Sequence, residues 1–142
     1  MDGAEYGAYC ACEWKHAAAY YGSGESFLFS VGGSGSSSGR GSNSGRNSGN
    51  GGGTSGADSS NLVITPFKWT GMNTLFQFSN DDQLAIGGGG GGFGLLLKDD
   101  FDIAESLPCE TYGNTNSLDI RNDSGTSSKV CNVELWTFQL SL

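Results

Sequence analysis

Residues 83–98 read Gln-Leu-Ala-Ile, then six glycines, then Phe-Gly-Leu-Leu-Leu-Lys. The apolar pieces on either side of the glycines, residues 83–86 and 93–98, are predicted strands. A glycine run between two strands fits a passage where backbones approach closely or where φ is positive. It matches a G-x-G-x-x-G phosphate loop only trivially, because a strand follows it instead of a helix and the first lysine after it is Lys98.

Further predicted strands lie on both sides of this stretch, at residues 6–14, 26–31, 62–69, 74–79 and 132–140. Residues 80–82, Asn-Asp-Asp, read as a hairpin loop, and Pro66 places its strand at an edge or a bulge. Residues 17–19, three alanines, form at most one helical turn. The chain is therefore predicted to be mainly β, a two-sheet antiparallel β-sandwich.

A glycine-rich and serine-rich tract divides the chain. Of the 142 residues, 25 are glycine, and residues 32–60 hold almost no apolar side chain, which predicts a disordered segment. Residues 1–31 are too few to form a core alone. We therefore interpret residues 1–31 and 61–142 as two parts of one domain, with residues 32–60 as an insertion.

Charge and targeting signals narrow the class of protein. A net charge of −8 argues against a nucleic-acid partner, which would require clustered Lys and Arg. No apolar run approaches the roughly 18 residues of a membrane span, so membrane insertion is not expected. The acidic start lacks a secretory signal, and the four cysteines do not resemble a secreted disulfide framework. These features predict a cytoplasmic protein.

Cys109 is the most plausible reactive thiol, because residues 107–110 (Leu-Pro-Cys-Glu) read as a surface loop. Its sequence neighbours Glu105 and Glu110 would raise the thiol pKa, and a reactive thiolate needs the opposite shift. A thiol-dependent antioxidant enzyme using Cys109 is therefore the alternative to a protein that acts by contact alone.

Other chemical motifs are incomplete. Cys10, Cys12 and His16 could supply three zinc ligands, but no second cysteine pair completes a site, and small buried thiols are the favoured interpretation. His16 is the only histidine, so it would have to serve any hydrolase triad. Residues 99–102, Asp-Asp-Phe-Asp, fail the EF-hand spacing and read as a solvated acidic loop. No catalytic residue, cofactor or metal is predicted.

Strand alternation places Glu134, Trp136 and Phe138 on one face of the last predicted strand. A carboxylate beside two large aromatic rings is paired, hydrogen-bonded to the backbone, or facing solvent together with the rings. A binding face built from all three side chains is the alternative to a structural use. The favoured interpretation is structural. A lectin-type binder, in which Trp136 and Tyr112 stack on a ligand, is a second alternative.

Five blocks in order resemble the TLDc domain of oxidation-resistance proteins and a nuclear receptor coactivator relative. They are GESFLFS (24–30), WTGMN (69–73), LAIGGGGGGFGL (84–95), CETYGN (109–114) and VELWTF (133–138). The resemblance covers about residues 5–31 and 61–140. The most diagnostic blocks are the glycine run and the final Glu-x-Trp-x-Phe. The residues that match motif positions are Gly87, Gly88, Gly89, Gly90, Gly91, Gly92, Phe93, Gly94, Cys109, Glu134 and Trp136.

The resemblance implies a two-sheet β-sandwich flanked by helices, a role in oxidative-stress resistance and no established catalytic residues. It also implies a protein partner, because several members bind and regulate the vacuolar proton-pumping ATPase. Leu96 stands where the family usually has Trp, and Ala104 and Glu105 replace the usual glycine just upstream of Ser106. The family domain begins some tens of residues earlier, so the N-terminal helical part is expected to be missing from this chain.

Overall fold

The computed structural model describes residues 5–33, 62–114, 127–139 and 141. Within those ranges the chain forms eight β-strands and no helix. The strands are β1 (Glu5–Tyr9), β2 (Phe27–Gly33), β3 (Leu62–Lys68), β4 (Gln77–Ser79), β5 (Gln83–Ile86), β6 (Leu95–Lys98), β7 (Ile103–Glu105) and β8 (Ser127–Lys129).

The strands form two antiparallel sheets, which confirms the predicted fold class. One sheet has the order β1-β2-β3 and the other the order β4-β5-β6-β7-β8. In the first sheet β2 pairs with β3 over seven residues, from Phe27 opposite Lys68 to Gly33 opposite Leu62. The two stretches that flank the glycine and serine tract therefore share a sheet.

Local signals located several strands correctly. Strand β5 has the predicted bounds. Residues 80–82 connect it to β4 in a hairpin, as predicted. In this loop Asn80 Oδ1 accepts hydrogen bonds from the backbone N–H groups of Asp82 and Gln83 at 3.0 and 2.9 Å. Strand β3, which contains Pro66, lies at the edge of its sheet as predicted.

Other predictions were wrong. Gly32 and Gly33 belong to β2 instead of the tract, because both pair with β3; the remainder of the predicted disordered tract lies outside the described residues. Strand β1 ends at Tyr9, and residues 17–19 form no helical turn. Residues 132–139 are not a strand, and β7 and β8 form where the sequence predicted none.

The core lies between the two sheets. Its buried members are Leu28, Phe76, Ile86, Cys109 and Tyr112, and partly buried apolar side chains that include Phe67, Leu84 and Leu95 pack against them. Leu28 comes from the first sheet and Ile86 from the second, so each sheet contributes to the same core. In the described part of the chain no helix is long and apolar enough to cross a membrane.

Candidate functional site

The glycine run, residues 87–92, forms the turn between β5 and β6, and we call it the glycine turn. Four of its residues have positive φ, namely Gly87 (76°), Gly89 (86°), Gly90 (69°) and Gly91 (87°). In this region of φ a side chain with a Cβ costs roughly 1–2 kcal/mol per residue. Conformation therefore explains glycine at these four positions.

Close packing explains glycine at two further positions. A Cβ at Gly92 would lie 2.5 Å from Leu107 Cβ, and one at Gly94 would lie 2.4 Å from Leu28 Cδ1. Gly94 is buried and brings the start of β6 against the first sheet. The interpretation of the glycine run as a close backbone passage thus agrees with the geometry.

Two loops pack against the glycine turn, residues 69–73 and residues 109–114. We call these three segments together the glycine-turn cluster. At its centre lies Thr111, whose side chain has no exposed area. The Thr111 hydroxyl accepts a bond from the Gly88 N–H at 3.0 Å and lies 2.7 Å from Asn73 Oδ1, to which it donates. One hydroxyl group therefore joins all three segments.

Further bonds lock the two loops to each other. The Thr70 N–H donates to the Thr111 carbonyl at 2.9 Å, and the Thr70 hydroxyl donates to the Glu110 carbonyl at 2.6 Å. Within the first loop, the Trp69 indole N–H donates to the Asn73 carbonyl at 2.7 Å. Three side chains of these loops remain exposed beside the turn: Trp69 (42%), Met72 (72%) and Glu110. Together they form an apolar and acidic surface.

Cys109 is buried, so its prediction as a surface-loop thiol was wrong. Its side chain is 4% exposed, and it lies against Gly87 and Gly94, because a Cβ on either residue would come within 2.7 and 3.0 Å of the sulfur. The thiol donates to Asn114 Oδ1 at 3.1 Å. Burial raises the Cys109 pKa, backbone N–H groups lower it and Glu110 raises it further. The result is a neutral thiol, which is a poor nucleophile.

Two further weakly acidic side chains lie in or beside the core, the buried Tyr112 and the partly buried Cys10. The Tyr112 side chain is 2% exposed, and burial together with the Cys10 and Cys109 sulfurs raises its pKa. Burial also raises the Cys10 pKa to about 12, with a smaller contribution from Cys12. Since Tyr112 is enclosed, it is not available to stack on a ligand, and this part of the lectin-type alternative was wrong.

The remaining candidates do not form a reactive site. The described ranges contain no group of three metal-ligating side chains, and Cys10 packs against the core. His16 Nε2 lies 3.6 Å from Asp81 Oδ1, and both side chains are exposed. Residues 99–102 form the turn between β6 and β7, in which Asp99, Asp100 and Phe101 have positive φ.

Glu134 and Trp136 lie apart from the glycine-turn cluster in the exposed segment that follows β8. The strand predicted there is not formed, so the sheet face on which Glu134, Trp136 and Phe138 were placed does not exist. Trp136 is 78% exposed, and Glu134 Oε1 accepts a bond from Asn132 Nδ2 at 3.2 Å. The favoured structural role of Glu134 is not visible in these contacts.

Reasoning from residue chemistry missed Thr111 and Asn73, because neither side chain is charged or nucleophilic. The available signal was that both fall within blocks of the family resemblance, WTGMN and CETYGN. The structure brings these two blocks and the glycine run together. Phe93 and Gly94 continue the glycine turn into β6.

Comparison with known proteins confirms the resemblance to the TLDc domain. Residues 1–139 match the TLDc domain family. The chain is 31% identical over 139 residues to nuclear receptor coactivator 7 of Gallus gallus, covering 98% of this chain and 12% of the relative. It is 29% identical over 138 residues to oxidation resistance protein 1 of Homo sapiens, covering 97% of this chain and 12% of the relative. The chain thus spans about an eighth of the length of these relatives, and it belongs to the TLDc domain family.

Proposed function

We propose that this chain is a non-enzymatic interaction module of the cytoplasmic response to oxidative stress, and that subunits of the vacuolar proton-pumping ATPase are its partner. One observation carries the proposal: the motif residues of the glycine-turn cluster hold the fold together and leave a contact surface, not a reactive group. The relatives named oxidation resistance protein 1 support the link to oxidative stress.

The interior supports a role without catalysis. A cavity between the sheets has a volume of about 10 Å³, and its lining includes Leu28, Gly94 and Ser106. A volume of this size admits at most one water molecule. Cys109 is shielded from solvent, and burial keeps its thiol protonated near neutral pH.

The surface beside the glycine turn is the contact site we favour. Met72 and Trp69 supply exposed apolar area, and Glu110 supplies a negative charge in a chain of net charge −8. Such a surface fits a partner with an apolar groove and a basic rim, since complementary charge promotes association.

The test is retention of purified ATPase subunits on the immobilised full chain. We expect Met72→Asp to reduce retention by about tenfold or more, as loss of a central apolar contact does in other interfaces. Phe101→Asp is the matched control, because Phe101 is also exposed, at 45%, but lies in the β6–β7 turn. Absence of retention by the unaltered chain would contradict the proposed partner, and equal losses in both variants would contradict the proposed surface.

Thiol chemistry separates this proposal from the antioxidant-enzyme alternative. We expect iodoacetamide to label the exposed Cys131 in the folded chain and to reach Cys109 only after unfolding. We also expect Cys109→Ser to leave peroxide consumption unchanged. Rapid native labelling of Cys109, or loss of peroxide consumption in the variant, would favour the enzyme.

A further inference from the structure

The three-stranded sheet has an apolar face on the side away from the core. Leu28 and Phe67 point into the core, so their strand neighbours occupy the opposite, outer face. This outer face carries Tyr9, Phe27, Phe29, Val31, Ile64 and Leu62. Ile64 is 63% exposed and Leu62 is 71% exposed, so the outer face presents an apolar patch to solvent.

A second apolar surface lies on residues 132–139, which we call the C-terminal segment. Every residue of this segment is exposed, including Leu135 (79%), Trp136 (78%) and Phe138 (86%). The Phe138 ring meets the Tyr9 ring edge-on, with 6.5 Å between centroids. Because Tyr9 lies on the outer face, this contact shows that the face accepts an aromatic side chain of the segment.

A row of side chains on the outer face has the same order of types as a row on the C-terminal segment, with a base in one opposite an acid in the other. Tyr9, Phe27 and Lys68 lie side by side across the three strands, a row of two aromatic rings and a base. In an extended segment Phe138, Trp136 and Glu134 project from one side about 7 Å apart, a row of two aromatic rings and an acid. Neighbouring strands are about 4.8 Å apart, and the long Lys68 side chain covers the remaining distance.

The segment does not fill the outer face of its own chain. Val130, just before it, donates its N–H to the Asp102 carbonyl at 2.8 Å, beside the edge of the five-stranded sheet. At its other end Phe138 contacts Tyr9, but Trp136, which lies in the sequence between Val130 and Phe138, remains 78% exposed. In the rest of the row Lys68 is exposed, and Phe27, which stacks on Tyr9 with 5.3 Å between ring centroids, is half-buried, so surface remains there for a segment from elsewhere.

We propose that the C-terminal segment of one copy lies across the outer face of a second copy, and that the exchange is reciprocal. Phe138 and Trp136 then pack on Tyr9 and Phe27, and Glu134 pairs with Lys68. Four aromatic rings from the two segments bury about 600–1,000 Å². The faces beneath them bury a similar area, so the total reaches the roughly 1,200–2,000 Å² of a stable interface. This self-association goes beyond the proposed function and uses different residues.

Sedimentation equilibrium of the full chain over a range of concentrations tests the proposal. We expect a species of twice the 14.7 kDa chain mass, and we expect Trp136→Ser to raise its dissociation constant by about tenfold or more. Phe101→Ser, which removes an exposed ring of the β6–β7 turn, serves as the control and leaves dimerisation unchanged. Both variants alter exposed side chains, so an unchanged urea midpoint checks that each still folds.

A charge exchange makes the test specific to the paired rows. Lys68→Glu and Glu134→Lys should each weaken the dimer, because each places like charges opposite one another, and the double variant should restore it. A monomer at all concentrations would overturn the proposal, whether the segment is free or folded onto its own face. A dimer insensitive to Trp136→Ser, or a double variant weaker than both single ones, would overturn it as well.

Discussion

At the scale of single residues, the glycine-turn cluster depends most on the Thr111 hydroxyl. It accepts from Gly88 N–H and donates to Asn73 Oδ1, and the Leu75 and Gly88 carbonyl oxygens also lie within 3.2 Å of it. A buried donor or acceptor that is left without its partner costs about 1–3 kcal/mol. The importance of this side chain thus follows from its burial and its central position.

We expect Thr111→Val to lower the free energy of unfolding by about 1–3 kcal/mol, because the replacement has similar shape but leaves the Gly88 N–H without an acceptor. Urea unfolding measures the change. Thr111→Ser is the matched control, since it keeps the hydroxyl and loses one methyl group, worth about 1 kcal/mol. Thr111→Val as stable as the unaltered chain would contradict the role of the hydroxyl, because valine keeps the methyl group of threonine and lacks only the hydroxyl.

Thiols and phenols that are wholly or partly buried should make the folded state less stable as pH rises through the alkaline range. Burial raises the pKa of Cys10 from 9.0 to about 12, and it also raises those of Cys109, Tyr20 and Tyr112. The folded chain therefore holds protons that the unfolded chain has released. This contribution is complete below pH 9 and is lost as pH rises toward the folded pKa values.

We expect the urea midpoint to fall steadily between pH 9 and pH 12 and the fall to be shallower in Cys10→Ala. One group contributes a slope of at most about 1.4 kcal/mol per pH unit. Cys131→Ala, which removes an exposed thiol, is the control and should follow the unaltered chain. If Cys10→Ala were as sensitive to pH as the unaltered chain, folding would not raise the pKa of Cys10.

At the scale of structural elements, the glycine turn contains two glycines with similar φ values, and only one of them is also tightly packed. Comparing alanine substitutions at the two positions therefore measures the free energy cost of conformation and that of packing separately. Gly87 and Gly91 have similar φ values of 76° and 87°. A Cβ at Gly91 would meet nothing within 4 Å, whereas one at Gly87 would lie 2.7 Å from Cys109 Sγ and 2.8 Å from Tyr112 Cδ2. The two positions therefore differ mainly in the space around them.

We expect Gly91→Ala to destabilise the chain by about 1–2 kcal/mol, the cost of a left-handed conformation. Gly87→Ala should cost about 1–3 kcal/mol more, because the added methyl group displaces core side chains. Thermal and urea unfolding of the pair measure the difference. Equal costs at the two positions would contradict the close approach of Cys109 to the turn.

Strands with a local signal were predictable, and strands defined by their neighbours were not. Strand β5 is a short apolar run beside a turn, and its bounds follow from the sequence. Strand β8 reads Ser-Ser-Lys and forms because β7 pairs with it. Residues 132–139 show the opposite case, because their alternation predicts a strand and yet no strand forms without a partner. Alternation describes what a strand would bury, while formation requires hydrogen bonds to a second strand.

The glycine-turn cluster was predictable in composition and not in arrangement. The family resemblance named its segments, and the glycine run was correctly interpreted as a close passage. The burial of Cys109 could not be read from its neighbours Pro108 and Glu110, both of which are exposed. It arises from Gly87 and Gly94, which are distant in sequence and leave space for the sulfur only in the folded chain.

At the scale of the whole molecule, the glycine-rich and serine-rich tract is the loop that must be closed when β2 pairs with β3. Gly33 and Leu62 lie directly opposite each other, so the strands meet at the point where the tract leaves the sheet. A short connection can therefore join them without moving either strand. Loop closure costs free energy that grows with the logarithm of loop length, about 0.6 kcal/mol for each doubling.

The composition of residues 32–60 predicts a disordered segment, of which Gly32 and Gly33 lie in β2 instead. If the prediction holds for the remainder, the length of the tract should affect stability only through this entropy. We expect a variant with the tract cut to a quarter of its length to be more stable by about 1 kcal/mol, with an unchanged dependence of unfolding on urea. A tract of the original length with its residues shuffled is the control, and it should match the unaltered chain. Should either variant lose stability, the tract would have to contribute specific contacts to the folded protein, because chain entropy alone favours the shorter loop and is indifferent to the order of its residues.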